Sequence, residues 1–117
     1  MTGDELTLPV VGEIYWVDRE LFDIDPTDRK PRRPAVVLQA PRDRLGRLVL
    51  VKRTSQPGEV GIEHPADPSI GCNKEGIFSK RYWGSIEAVQ FVEPRATYAG
   101  LLPEPYLSNV IDMWQSL

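Results

Sequence analysis

Proline is the feature of this sequence that most restricts its fold. The chain contains 11 prolines and 9 glycines in 117 residues, and they are spread along its whole length. Proline removes a backbone donor and clashes with the preceding helical turn, so a chain interrupted this often cannot build long helices. A chain of this length suits one domain, residues 1–117, with a single modest core. We therefore expect a small, mainly β protein.

Strand-forming residues alternate in several short segments. Residues 12–18 predict a first strand. Residues 33–40 and 47–53 predict an antiparallel hairpin at the centre of the sheet, joined by a turn at 41–46 that contains a glycine. Residues 85–93 alternate cleanly and predict a late strand.

The other segments carry weaker or different patterns. Residues 59–63 and 96–98 predict two short strands, residues 64–74 predict a loop, and residues 77–82 have no assignable period. Beyond residue 103 the apolar spacing becomes helical, which predicts one amphipathic C-terminal helix. The apolar positions of this helix are Leu107, Val110, Ile111 and Trp114. A small curved sheet or partly open barrel with one helix packed against it is the expected architecture.

The charges are strongly segregated along the chain. Residues 1–28 hold eight acids and one base, residues 29–53 hold nine bases and one acid, and residues 54–117 hold four bases and eight acids. The net charge of −3 therefore conceals a positive segment of +8, in which seven of the nine bases are arginines. Arginine's planar fork suits phosphate, and a local field can steer a polyanion to an acidic protein. This pattern favours a nucleic-acid or acidic partner, although basic loops can also serve only to protect strand edges.

Several kinds of site lack the residues they require. The sequence has no phosphate-binding glycine loop with its lysine and no dinucleotide fingerprint. His64 is the single histidine and Cys72 the single cysteine, so a tetrahedral zinc site lacks ligands. We expect no metal and no other cofactor. No apolar run is long enough for a signal or membrane segment, which predicts a cytoplasmic protein without a membrane partner.

Basic and hydroxyl residues come together at one end of the predicted hairpin. Arg33 begins the second strand and Thr54 follows the third, so antiparallel pairing brings them side by side. A guanidinium beside a hydroxyl can grip a phosphodiester and stabilise the charge that builds up as it is attacked. RNA would supply the nucleophile, its 2′-hydroxyl. From spacing alone, purely structural roles for both residues remain the commoner outcome. The residues expected to contact RNA around this pair are Arg29, Lys30, Arg32, Lys52, Arg53 and Ser55.

Several motifs resemble the MazF/PemK toxins of bacterial toxin–antitoxin systems. Residues 12–18 (GEIYWVD) are similar to the opening strand of that family, and residues 33–39 (RPAVVLQ) to its Arg-Pro-hydrophobic strand. Residues 51–55 (VKRTS) resemble the segment that ends in Thr-Ser or Thr-Thr. More loosely, residues 85–95 followed by residues 101–110 are similar to the late strand, its arginine and the closing helix. The likeness touches most of the chain, and the first two motifs are its specific part.

The resemblance implies an SH3-like barrel of the CcdB/PemK type, a homodimer and a metal-independent endoribonuclease. Such a toxin would cut single-stranded RNA, such as mRNA, to 2′,3′-cyclic phosphate and 5′-hydroxyl ends, and an acidic antitoxin would neutralise it. By position, Arg33 would be the catalytic arginine and Thr54 its hydroxyl partner. Arg53 departs from the family, which usually has an apolar residue there, and the loop at 19–32 is unusually acidic in its first half.

Two alternatives remain open at this point. One is a catalytically silent SH3-like module whose basic hairpin binds nucleic acid or an acidic protein. The other follows the gyrase-poisoning branch of the same fold, in which the helix that carries Trp114 would contact the partner.

Overall fold

Six strands and one α-helix make up the regular structure of the described chain. The computed structural model describes residues 8–21 and 30–117. The strands are β1 (Glu13–Asp18), β2 (Arg32–Gln39), β3 (Arg47–Thr54), β4 (Gly61–His64), β5 (Gly76–Glu87) and β6 (Ala96–Leu101), and the helix α1 spans Tyr106–Gln115. The predicted mainly β fold with one C-terminal helix is confirmed. Within the described residues, no helix is long and apolar enough to cross a membrane.

The strands form one antiparallel sheet in the order β4-β5-β3-β2-β1-β6. The predicted hairpin of β2 and β3 therefore lies at the centre of the sheet. Its register places Ala35 opposite Lys52 and Val36 opposite Val51. On its other side β2 pairs with β1, and Arg33 lies opposite Val17.

Both faces of the central strands are buried, and this explains why β2 reads as an almost continuous apolar run. One face carries Val37 and Leu50 into a first core cluster. The other face carries Val36 and Val51 into a second cluster, which Val110 of α1 also enters. Because side chains alternate along a strand, this two-sided burial determines which residues at the strand ends share a face.

The late strand departs from its prediction at both ends. Residues 77–82, which had no clear period, belong to β5, and the register of β5 against β3 shifts between Val51 and Arg53. That shift disrupts the alternation on which a strand assignment depends. The predicted strand at 85–93 is wrong beyond Glu87, because the chain turns into a short 3-10 helix at Ala88–Gln90.

The predicted loops agree with the structure better than the predicted late strand does. Residues 64–74 contain a single 3-10 turn, Pro68–Ile70, which follows the short strand β4. Most of the acidic loop expected between β1 and β2 falls on residues 22–29, which lie outside the described residues.

A matched pair of leucines tests the core. Leu50 is completely buried in β3, whereas Leu45 is 88% exposed in the turn before it. We expect Leu50→Ala to lower the free energy of unfolding by about 2–5 kcal/mol, because it leaves a cavity. Leu45→Ala should change it by less than about 0.5 kcal/mol. Urea denaturation measures both values, and equal losses would contradict the burial described for β3.

Candidate nucleic-acid site

A positively charged hollow of about 280 Å³ lies where β2 begins and β3 ends. Five of its lining residues are basic, and among the described residues no Asp or Glu lines it. We refer to it as the basic hollow. It is lined by Trp16, Lys30, Arg32, Arg33, Pro34, Arg53, Ser55, Cys72, Asn73 and Lys74.

The strand register brings Arg33 and Thr54 to the same end of the sheet. Pairing between β2 and β3 is recorded up to Ala35 and Lys52, and each strand continues for at least two residues beyond that pair. Continuing the register places Arg33 level with Thr54. Arg33 is half-buried and lines the basic hollow.

Thr54 reaches that end of the sheet but is enclosed there. Only 2% of the residue is exposed, and it does not line the basic hollow. On the side away from β2 it pairs with Ile77. Its hydroxyl oxygen accepts a hydrogen bond of 3.2 Å from the backbone N–H of Gln56. The next residue, Ser55, is exposed and does line the hollow, so the Thr54 hydroxyl stabilises the turn that carries Ser55.

Arg32 uses its guanidinium to join neighbouring strands. Its Nη2 donates hydrogen bonds to the carbonyl oxygens of Trp16 and Pro94, each at 3.0 Å, and to the Thr97 hydroxyl at 2.9 Å. Its Nε lies 2.9 Å from a carboxylate oxygen of Asp18. Arg32 therefore ties β2 to β1 and to β6, and these contacts make its main role structural.

Arg53 is the most enclosed cation of the hollow, with 4% of the residue exposed. Its Nε donates to Nδ1 of His64 at 3.1 Å, and its Nη2 donates to the carbonyl oxygens of His64, Pro65 and Lys74 at 3.2, 3.3 and 2.7 Å. Burial lowers the pKa of this guanidinium from its usual value. These four bonds join the end of β3 to β4 and to the segment that carries Lys74.

His64 is a buried hydrogen-bond acceptor. It is 2% exposed, and its Nδ1 receives the Arg53 hydrogen bond, which requires a neutral imidazole with its proton on Nε2. Among the described residues, Nε2 is buried and has no hydrogen-bond partner. Burial lowers the pKa of His64, and the nearby positive charge of Arg53 lowers it further. The ring packs edge-to-face on Tyr106, with centroids 4.9 Å apart. His64 does not line the basic hollow, and its Nδ1 lone pair is engaged by Arg53.

The remaining polar lining has ordinary chemistry. Cys72 is buried, and burial raises the pKa of its thiol, which keeps the sulfur protonated and unreactive. No three His, Cys, Asp or Glu side chains of residues 8–21 and 30–117 converge into a metal-binding group.

The residues predicted to contact RNA divide into three groups. Four of them, Lys30, Arg32, Arg53 and Ser55, line the basic hollow; Lys30 and Ser55 are exposed there, Arg32 is half-buried and Arg53 is buried. Lys52 does not line it. That residue is 3% exposed, and its ammonium lies 4.8 Å from the centroid of the Tyr82 ring. Arg29 lies outside the described residues.

Sequence reasoning missed the wall formed by Asn73 and Lys74. This wall comes from the segment predicted only as a loop, and tertiary contacts bring it to the hollow. Asp67 and Cys72 exchange two backbone hydrogen bonds that close the loop, of 2.6 and 3.0 Å, and Arg53 holds the Lys74 carbonyl. The one signal in the sequence was an isolated lysine in an otherwise acidic segment.

Structural comparison finds the same fold in chains of two crystal structures of MazE–MazF from Deinococcus radiodurans. The Form-II structure matches with a TM-score of 0.61 at 17% identity over 94% of each chain. The Form-III structure matches with a TM-score of 0.60 at 17% identity over 94% of this chain and 95% of that chain. No family model and no curated protein matches the sequence. The resemblance to MazF-like toxins is thus confirmed at the level of the fold.

Two arginines of the central hairpin make a matched test of the role of Arg32. Arg32→Met removes the hydrogen bonds to the two carbonyls and the Thr97 hydroxyl, and we expect it to lower the free energy of unfolding by about 1–3 kcal/mol. Arg42→Met, at an exposed position of the turn between β2 and β3, should cost less than about 0.5 kcal/mol. Thermal or urea unfolding measures the difference. Equal costs would contradict the structural role of Arg32.

Proposed function

We propose that this chain is an endoribonuclease toxin that cuts single-stranded RNA and is neutralised by an antitoxin. The observation that carries the proposal is the basic hollow, which places Arg33 at the mouth of the central hairpin on a fold shared with MazE–MazF structures. Five basic lining residues suit a phosphate backbone. Single-stranded RNA fits because its bases can turn outward while its phosphates follow a charged groove.

In this proposal the RNA supplies the nucleophile. The 2′-oxygen attacks the adjacent phosphorus, its proton passes to solvent, and the bond from phosphorus to the 5′-oxygen breaks. The departing 5′-oxygen takes a proton from solvent, so the products are a 2′,3′-cyclic phosphate and a 5′-hydroxyl. No water molecule is consumed in this transesterification, and the reaction as written requires no cofactor.

Arg33 is the proposed catalytic residue. Its guanidinium can donate to the non-bridging phosphate oxygens, where negative charge accumulates in the transition state. Arg33 is half-buried whereas Arg53 is only 4% exposed, so Arg33 is the more accessible of the two to a phosphate in the hollow. Lys30, Ser55 and Lys74 would contact the flanking phosphates.

Thr54 takes an indirect part in the proposed reaction. The residue is enclosed, and its hydroxyl accepts from the N–H of Gln56, so it fixes the turn that presents Ser55 to the hollow. Replacing Thr54 should therefore reduce cleavage less than replacing Arg33 does.

We also propose a cytoplasmic homodimer that binds an acidic antitoxin. Three exposed apolar residues lie around β4, β5 and the C-terminus and could form a subunit interface: Val60, Trp83 and Leu117. Trp83 also contacts Trp114 of α1 edge-to-face, with centroids 6.1 Å apart. The matched structures are MazE–MazF, and an acidic peptide would complement the basic hollow.

The proposed subunit interface has its own test. A charged residue in the interface would have to be desolvated without a partner, so Trp83→Glu should shift the protein from dimer to monomer. Sedimentation equilibrium measures the mass, with Leu45→Ala as a control for an exposed apolar residue elsewhere. A wild-type monomer at all concentrations would contradict the dimer.

Cleavage is tested on a long RNA in the presence of EDTA, with mapping of the new ends. Wild-type protein should give discrete cuts whose 5′-hydroxyls accept a phosphate from polynucleotide kinase without prior phosphatase treatment. Arg33→Ala should lower kcat/KM by about 10²–10³-fold, because it removes the main transition-state donor. Thr54→Ala should lose about tenfold, and Thr54→Ser, which keeps the hydroxyl, should retain most activity.

Arg42→Ala is the matched control, because Arg42 is exposed in the turn between β2 and β3, away from the strand ends that form the hollow. RNA that stays intact but shifts in a gel would support the binding module instead. In that case, the slope of log Kd against log salt concentration should decrease by about 0.7 for each phosphate contact that a mutation removes.

A further inference from the structure

We propose that Arg53 is a positioning residue for the basic hollow and that it performs this role only while His64 is neutral. The inference deepens the proposed function, and its activity test rests on that function. Its geometry can be tested without it.

Arg53 stands at the junction of the segments that form the hollow. It directly precedes Thr54 and Ser55 at the end of β3, and its Nη2 donates 2.7 Å to the carbonyl oxygen of Lys74. Through that bond one side chain links the Ser55 wall of the hollow to the wall formed by Asn73 and Lys74. The spacing between Ser55 and Lys74, two of the residues that would touch the phosphates, therefore depends on the Arg53 guanidinium.

The chain provides a fitted slot for this guanidinium. A Cβ at Gly76 would lie 2.6 Å from both Cζ and Nη1 of Arg53, closer than two such atoms can approach. On another side, the Arg53 Cζ lies 6.0 Å from the centroid of the Phe78 ring. An apolar side chain at position 53 would leave the carbonyl oxygens of His64, Pro65 and Lys74 without this donor. The hydrogen bonds of this site therefore explain why position 53 carries an arginine.

The slot also requires an uncharged imidazole. Arg53 Nε donates to the lone pair of His64 Nδ1 at 3.1 Å. A proton on Nδ1 would remove that acceptor and would leave two buried cations at this distance. The hydrogen bond between Arg53 and His64 therefore requires a neutral imidazole, and protonation of His64 at acidic pH should break it.

The surroundings of His64 decide the sign of the pH effect. Burial and the positive charge of Arg53 lower the pKa of His64, and Asp67 opposes them. Phe78 of β5 and Tyr106 of α1 present aromatic rings to it. Two more acids, Glu63 and Glu75, line the same surface pocket as His64.

The pKa of His64 is lower in the folded protein than in the unfolded chain, where it is about 6.5. The contribution of His64 to stability is therefore fully present above about pH 6.5. Below it, the unfolded chain binds the proton first, and stability falls until native His64 is also protonated.

The decisive comparison is the pH profile of RNA cleavage by wild type and His64→Asn. The Asn side-chain oxygen can accept from Arg53 Nε in the place of Nδ1, and it does not titrate. We expect kcat of wild type to fall as the pH is lowered below about 6.5, with an acid limb that His64→Asn lacks. Circular dichroism at each pH confirms that both proteins remain folded. Identical acid limbs would overturn the proposal.

Arg53→Lys tests the fork without removing the charge. A lysine ammonium cannot reach all four acceptors, so kcat should fall while KM for RNA changes little. A normal kcat in a folded Arg53→Lys protein would also overturn the positioning role. Binding of a 2′-deoxy oligonucleotide, which cannot be cut, is followed in parallel, so the same pH comparison can be made if the wild-type protein binds but does not cleave.

A spectroscopic readout separates this inference from the proposed function. His64 is the single histidine, so its imidazole gives one set of nitrogen signals in NMR. We expect a neutral ring with its proton on Nε2 and a pKa below the ordinary value, and Arg53→Met should raise that pKa by removing the nearby charge. A proton on Nδ1 would refute the Arg53–His64 bond even if RNA is cut. If the proton is on Nε2 but the protein neither cuts nor binds nucleic acid, the Arg53–His64 bond is confirmed, and the proposed role of Arg53 in positioning the hollow is refuted.

Discussion

The register between β2 and β3 is the constraint on which the rest of this structure depends. Both strands are buried on both faces, so a slip of one residue would move every apolar side chain to the opposite cluster. The same register brings Arg33 level with the end of β3 and opens the basic hollow there. The packing of the core therefore determines where the positive charge can act, and one core residue, Cys72, also lines the hollow.

Three arginines of the basic segment have equal charge but different roles. Arg32 bonds to β1 and β6, and Arg53 bonds to β4 and the segment of Lys74, so both use their donors inside the protein. Arg33 lines the same hollow and is the one we assign to the phosphate. A guanidinium has several donors in a rigid fork, and this geometry lets one residue type either join elements of a fold or bind a substrate. The number of charges in the sequence cannot distinguish a structural arginine from a substrate-binding one, because it does not show which groups the guanidinium contacts.

Local pattern was enough for the elements whose two faces have a regular environment. The central hairpin, β1 and the C-terminal helix follow the alternation or the helical spacing of their apolar residues. The long strand β5 does not follow such a pattern, because a register shift interrupts its pairing with β3 and the strand ends at Glu87. Arg33 could be placed at the hollow from the hairpin alone. Asn73 and Lys74 could not, because contacts distant in sequence bring them there.

The sequence by itself determined the fold class, the central position of the hairpin and the concentration of positive charge at its start. These are consequences of local periodicity, proline spacing and composition, which need no knowledge of distant contacts. Only the tertiary structure decided that Thr54, Lys52 and Arg53 are enclosed and that His64 is a neutral acceptor. Burial and hydrogen-bond partners depend on which segments pack together in space, and a charged or hydroxyl side chain has the same letter whether it faces RNA or the interior.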